Sequence, residues 1–308
     1  CHKHYEECII QPRRYWHRGL MKEMSSFAGW NLIRTSITMT SAYGQGIILN
    51  HFFGVILNAA QGIAGQINGQ LQVLSSNMLK ALNPILGKSA GANNKELLLK
   101  STILGAKYSA ALYLLVAIPI FIEAPYILKI WLKNIPEWTI IFVRFQLLKS
   151  FIEFQFTTLP GAINATGKIK KYTIWSSISN IMQLPVIYLF FKISFPPYSM
   201  YISTILFGNI CVYIIAMHYA KLYYQLSISV YFKKTLLPLY ITTTLVMGLL
   251  YIVQSLFEIN SIWRLLSFII LSILLFILTF FIIGCTKEEK NLIFELKNTI
   301  SNKIFHHN

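Results

Sequence analysis

Five charged side chains stand inside otherwise apolar stretches of this 308-residue sequence, and they are the first candidates for chemistry. Four are cations, Arg34, Lys107, Arg144 and Lys149, and the fifth is Glu153. Lys149 and Glu153 are four residues apart, so a helix sets them on one face, one turn from each other. Paired, they neutralise one another and serve packing. Left apart, Lys149 is free to meet an anionic group. Arg144 and Lys149 are separated by about 140° around a helix, so they do not converge on one small anion. Arg34, Lys107 and Arg144 lie nearer the ends of their stretches, where a long side chain can snorkel to an interface. A second group is made of amides. Asn58, Gln61, Gln66, Asn68 and Gln70, followed by Gln72, Ser75, Ser76 and Asn77, point around much of one helix and leave no wide face suited to lipid. They read as the wall of a watery cavity or as interhelical glue, and their number favours the cavity.

The chemistry of catalysis is scarce. All 11 acids are Glu, and Asp is absent. Only Glu153 lies deep, and His51 and His218 fall at helix ends, so a membrane-embedded transferase lacks an obvious general acid or base. No catalytic residue is assigned. Cys1, His2, His4 and Cys8 carry zinc-ligand atoms without a standard ligand spacing, and no metal site is assigned. Cys211 and Cys285 read as buried thiols.

The elements that must position these side chains follow from charge and hydropathy. The chain is 55% hydrophobic and 12% charged, with a net charge of +16. A soluble domain carries about a quarter charged residues. Residues 35–79, 172–191, 193–220, 235–257 and 265–286 contain no Lys, Arg or Glu. A helix crossing a bilayer needs about 20 largely apolar residues. The runs do not alternate as barrel strands must. The fold class is therefore all-α, a polytopic membrane protein of about eight transmembrane helices. These are expected at Phe27–Leu49, Val55–Leu79, Ser101–Ile122, Trp138–Ile163, Tyr172–Phe191, Tyr198–Ala220, Thr235–Phe257 and Leu265–Gly284.

With the N-terminus placed in the cytoplasm, 19 Lys and Arg fall in cytoplasmic segments and 4 in outer ones. By the positive-inside rule both termini are cytoplasmic. The net charge then reflects topology and contact with anionic membrane lipids rather than nucleic acid. Residues 1–26 form a polar cytoplasmic linker, and Cys1 reads as an internal cut in a longer membrane protein. In the tail, residues 286–308, Leu292, Leu296, Ile300 and Ile304 repeat every fourth position, the pattern of an amphipathic helix on the leaflet.

One stretch is specific enough to compare. Gly44-Gln45-Gly46-Ile47-Ile48-Leu49-Asn50-His51-Phe52-Phe53-Gly54, then Asn58-Ala59-Ala60-Gln61-Gly62-Ile63-Ala64, continues through Gln66 to Ala81-Leu82-Asn83-Pro84. It closely resembles the polysaccharide-unit flippases. These are Wzx-like transporters of the multidrug/oligosaccharidyl-lipid/polysaccharide exporter superfamily. Phe27-Ala28-Gly29-Trp30-Asn31-Leu32 looks like the start of that family's second lobe. The resemblance is specific over about 27–95 and compositional beyond. It implies that residues 27–222 are a six-helix C-terminal lobe, that 223–285 hold two additional helices, and that an N-terminal lobe is the missing partner. It further implies transport of a polyprenyl-diphosphate-linked oligosaccharide across the inner membrane, with no cofactor beyond H⁺ or Na⁺ as a coupling ion. The substrate path would draw on Lys149, Arg34, Arg144 and Glu153 with the amides. Gln61 stands where relatives often carry Arg, which removes one cavity charge. A cation-coupled drug antiporter of the same superfamily is the alternative. It needs an intramembrane acid, and Glu153 is the deep candidate.

Overall fold

The structure, a computed structural model, describes residues 17–256, 261–291 and 295. The Cys1–Cys8 cluster, the repeat Leu292 to Ile304 and most of the expected linker lie outside the described residues. Helix α1 spans Arg18–Gly91, α2 Lys95–Trp131, α3 Thr139–Phe154, α4 Thr158–Ala165 and α5 Lys170–Lys192. Helices α6, α7 and α8 cover Ser199–Tyr224, Ile228–Ser255 and Ile262–Gly284. Among the described residues there is no strand, and six helices are long and apolar enough to cross a membrane: α1, α2, α5, α6, α7 and α8.

Helix α1 holds two of the expected spans. At Gly54 the backbone adopts φ 78°, ψ −175°, a conformation open essentially to glycine alone. The chain folds back there: a Cβ on Gly46 would lie 3.4 Å from Asn58 Oδ1 and 3.8 Å from Gln61 Oε1. Thus α1 is a hairpin with an N-terminal arm, residues 18–53, and a C-terminal arm, residues 55–91. The N-terminal arm starts at Arg18, so residues 18–26 are helical. The expected fourth span, Trp138–Ile163, is α3 and α4, joined by turn residues 155–157.

Buried positions show how the C-terminal arm packs. Leu57, Ala60, Ala64, Asn68, Leu71 and Ser75 recur every three or four residues, which is one helical face. The facing positions on α2, Ala106, Ala110, Tyr113 and Ala117, are also mostly small. In lipid there is no hydrophobic drive between helices, so close approach and hydrogen bonds hold such a seam. The Tyr113 hydroxyl donates to Asn68 Oδ1 (2.8 Å), and Ser75 Oγ donates to the Ser109 carbonyl (2.8 Å). Gly105 completes it: a Cβ there would sit 2.6 Å from Leu82 Cδ1 and 2.9 Å from Thr158 Cγ2.

Helix α2 continues through Pro119 and Pro125 to Trp131 instead of ending at Ile122. Pro125 has no N–H, which leaves the Phe121 carbonyl without its helical partner. Arg144 Nε supplies one at 3.2 Å, and its guanidinium lies 5.6 Å from the Phe121 ring centroid.

Helices α7 and α8 lie against α2 and are fastened near both of its ends. Arg264 donates twice to Glu123, at 2.7 and 3.1 Å. Lys107, fully buried, donates to Glu289 Oε2 at 2.7 Å. The same oxygen accepts from the Thr286 N–H at 2.7 Å, and the Glu289 N–H reaches Thr286 Oγ1 at 3.4 Å. This is a capping box opening the short helix at 287–291. Lys107 therefore does not snorkel to an interface; a carboxylate 182 residues further on meets it inside the protein.

Candidate functional site

Between the α1 hairpin, α3, α5 and α6 lies a cavity of about 630 Å³. Three local irregularities shape it. The hairpin at Gly54 puts Arg34, Ser41 and Gln45 of one arm on the same cavity as Gln61 and Gly65 of the other. The break at 155–157 ends α3 just beyond Glu153, and Lys149, Glu153 and Thr157 line the opposite wall. Helix α6 widens into a π-helical stretch at Thr204–Cys211, of the kind that often re-aims groups at functional sites. From it Asn209 Nδ2 donates to the Lys149 carbonyl at 2.9 Å, and Ser179 Oγ donates to the Phe207 carbonyl at 2.7 Å.

The wall contributed by α5 is an amide clamp. Gln45 Nε2 donates to Gln183 Oε1 at 2.8 Å, while Gln183 Nε2 donates to the Asn180 carbonyl at 2.6 Å. Ser41 Oγ donates to the Asn180 carbonyl at 3.2 Å, tying the N-terminal arm to α5. Two glycines permit the approach: a Cβ at Gly44 would meet Leu184 Cδ1 at 2.8 Å, and one at Gly208 would meet Gln183 Oε1 at 3.2 Å. Ser177 Oγ, buried in the cavity wall, has no hydrogen-bond partner.

The charges are the informative feature. Lys107–Glu289 and Arg264–Glu123 are ion pairs, and neither involves a charge of the cavity. Lys149 and Glu153, one turn apart on one wall, make no direct ion pair with each other. Arg34 Nη2 contacts Asn31 Oδ1 at 3.4 Å and otherwise faces the cavity beside Tyr172. The cavity thus presents two cations, one carboxylate and several amides to a single volume within the membrane-spanning bundle.

Of the residues singled out from the sequence, the structure brings Lys149, Arg34, Glu153 and Gln61 together here. Asn58 lines a neighbouring cavity of about 550 Å³ between the two arms, which it shares with Gln61 and Asn50. Asn68 instead faces α2, where it accepts from Tyr113, so it is interhelical glue. Gln66 and Gln70 are exposed on this arm and line neither cavity. Arg144 is turned away towards Phe121. Sequence reasoning missed Gln45, Asn180, Gln183 and Asn209, which sit in runs whose apolar character hides them. A small residue beside an amide, as in Gly44-Gln45 and Gly208-Asn209, is the signal that could have found two of them.

Comparison with known proteins decides the family. The MatE family profile matches residues 32–189, just over half of the chain. The chain belongs to the MatE family. MatE proteins are membrane transporters of the multidrug/oligosaccharidyl-lipid/polysaccharide exporter superfamily, and not enzymes. The match to MatE takes in most of the hairpin, α2, α3, α4 and nearly all of α5, hence every wall of the cavity except the one from α6. No curated protein and no solved structure matches the chain.

Proposed function

We propose that this MatE chain carries part of the pathway by which a polyprenyl-diphosphate-linked oligosaccharide crosses the inner membrane, as in a flippase working by alternating access. The observation that carries the reading is the pair of cations, Lys149 and Arg34, that lie on one amide-rich cavity without a direct ion-pair contact. A half-buried cation within a membrane span and without a counter-charge in contact is costly, and an anionic ligand offsets that cost. The diphosphate supplies the anion, the amides and Glu153 suit sugar hydroxyls, and the polyprenyl chain stays in lipid.

In this reading residues 27–222 form one lobe, 223–285 add two helices, and both termini are cytoplasmic. A second lobe of the same protein faces the α1 hairpin. Supporting it, the exposed face of the C-terminal arm carries Gln66, Gln70 and Asn77 within a membrane span, where lipid is a poor partner for amides.

One observation favours a second reading. Glu153 is free of ion pairs, so a cation-coupled antiporter has its intramembrane acid, able to take H⁺ or Na⁺. The two are separated with full-length protein in proteoliposomes. The flippase reading predicts protein-dependent transfer of a labelled lipid-linked oligosaccharide to the leaflet protected from an impermeant reagent. Transfer no faster than in protein-free vesicles, together with export of a cationic dye along an imposed H⁺ or Na⁺ gradient, rejects it in favour of the antiporter.

A further inference from the structure

A second groove, remote from the cavity, sits where three membrane spans end together. It has a volume of about 380 Å³ and lies between the start of α2, the α6–α7 junction and the segment that follows α8. Its floor is apolar, from Leu99, Ile103, Leu104, Leu226 and Val230. Its rim carries Lys100, Lys234, Glu96 and Glu288. These four are exposed and stand outside the ion pairs found among the described residues. Glu96 and Lys100 are unpaired even though they are spaced four apart on α2, in the order that favours pairing. The fifth charged residue of the groove, Glu289, is already held by Lys107.

We propose that this groove binds a zwitterionic glycerophospholipid of the ethanolamine class. The helix ends place it at a bilayer boundary, on the side to which the Lys and Arg bias assigns the cytoplasm. An acyl chain entering at that depth covers the apolar floor. Two lysines match a phosphodiester. The two carboxylates would repel a purely anionic headgroup, but they suit a primary ammonium, which has three N–H donors. A quaternary ammonium has none, so choline lipids fit less well. The site stands independently of what the transporter carries.

Full-length protein taken from nanodiscs holding equal amounts of ethanolamine, glycerol and choline phospholipids tests this by native mass spectrometry. The expected result is one retained ethanolamine lipid, at least tenfold enriched over the other two. Lys100→Gln with Lys234→Gln should abolish retention. Glu96→Gln with Glu288→Gln should keep a lipid but shift the preference to the glycerol headgroup. Val230→Trp, which fills the floor and leaves the rim intact, should also abolish retention. Equal retention of the three headgroups, or retention unchanged in these variants, overturns the proposal.

Discussion

At the scale of single residues, the charges within the bundle divide into those that hold the protein together and those that face the cavity. Lys107 belongs to the first kind. With Lys107 fully buried and its partner nearly so, removing one charge strands the other. Lys107→Met should cost roughly 3–5 kcal/mol of stability, whereas Lys107→Met with Glu289→Leu should recover most of that loss. Thermal unfolding in detergent checks both; equal loss in single and double variants would contradict the pairing. Arg144 is also structural, because Pro125 creates the acceptor it fills. Neither role is legible from position in the chain. The Pro125 vacancy can be read from sequence, but not which donor 19 residues on will fill it. Thr286-Lys287-Glu288-Glu289 does carry a capping-box pattern, yet nothing in it points to Lys107. Cys285 lies beside the same pair, and burial pushes its thiol up from the usual range. Less of it is thiolate at neutral pH, and it should be a silent background in labelling with thiol reagents.

At the scale of elements, the spans are legible because a bilayer leaves few ways to satisfy a backbone. Long uncharged runs then mean helices. What hydropathy does not disclose is where those helices are interrupted. The turn at 155–157, with Pro160-Gly161 just beyond it, and the π stretch at Thr204–Cys211 fall within long uncharged sequence that reads as continuous helix. Both flank the cavity, so the elements that shape the site are the ones a periodicity reading passes over. Gly54 is the exception, since a glycine between Phe53 and Val55 marks a reversal that the backbone confirms. Gly54→Ala should lower stability by about 1–3 kcal/mol because a Cβ strains that conformation. Gly62→Ala, where a Cβ meets nothing within 4 Å, should be neutral or slightly stabilising. Unfolding temperatures that fall equally in both would show that the hairpin does not depend on Gly54.

At the scale of the whole molecule, one cavity gathers two cations, a carboxylate and several amides, while many large apolar side chains are exposed on the bundle's surface. The charge bias makes a topological prediction that side-chain packing does not. In the full-length protein, Cys placed at Ser194 should react with an impermeant thiol reagent added to intact cells, and Cys placed at Asn93 should not. The reverse pattern would invert the orientation, and with it the assignment of the lipid groove to the cytoplasmic side. The MatE match and the cavity agree on which part of the chain matters, because residues 32–189 supply most of the cavity wall. The central claim is that Lys149 serves this cavity by its charge, and not by neutralising Glu153. The most direct test is the rate of lipid-linked oligosaccharide transfer by full-length variants in proteoliposomes at matched protein content. Lys149→Arg should retain most of the rate. Lys149→Met should lose about tenfold or more, the worth of one charged hydrogen bond. Adding Glu153→Gln to Lys149→Met should leave the rate as low. Restoration of transfer by that double variant would contradict the account, since it would mean that Lys149 serves only to balance Glu153.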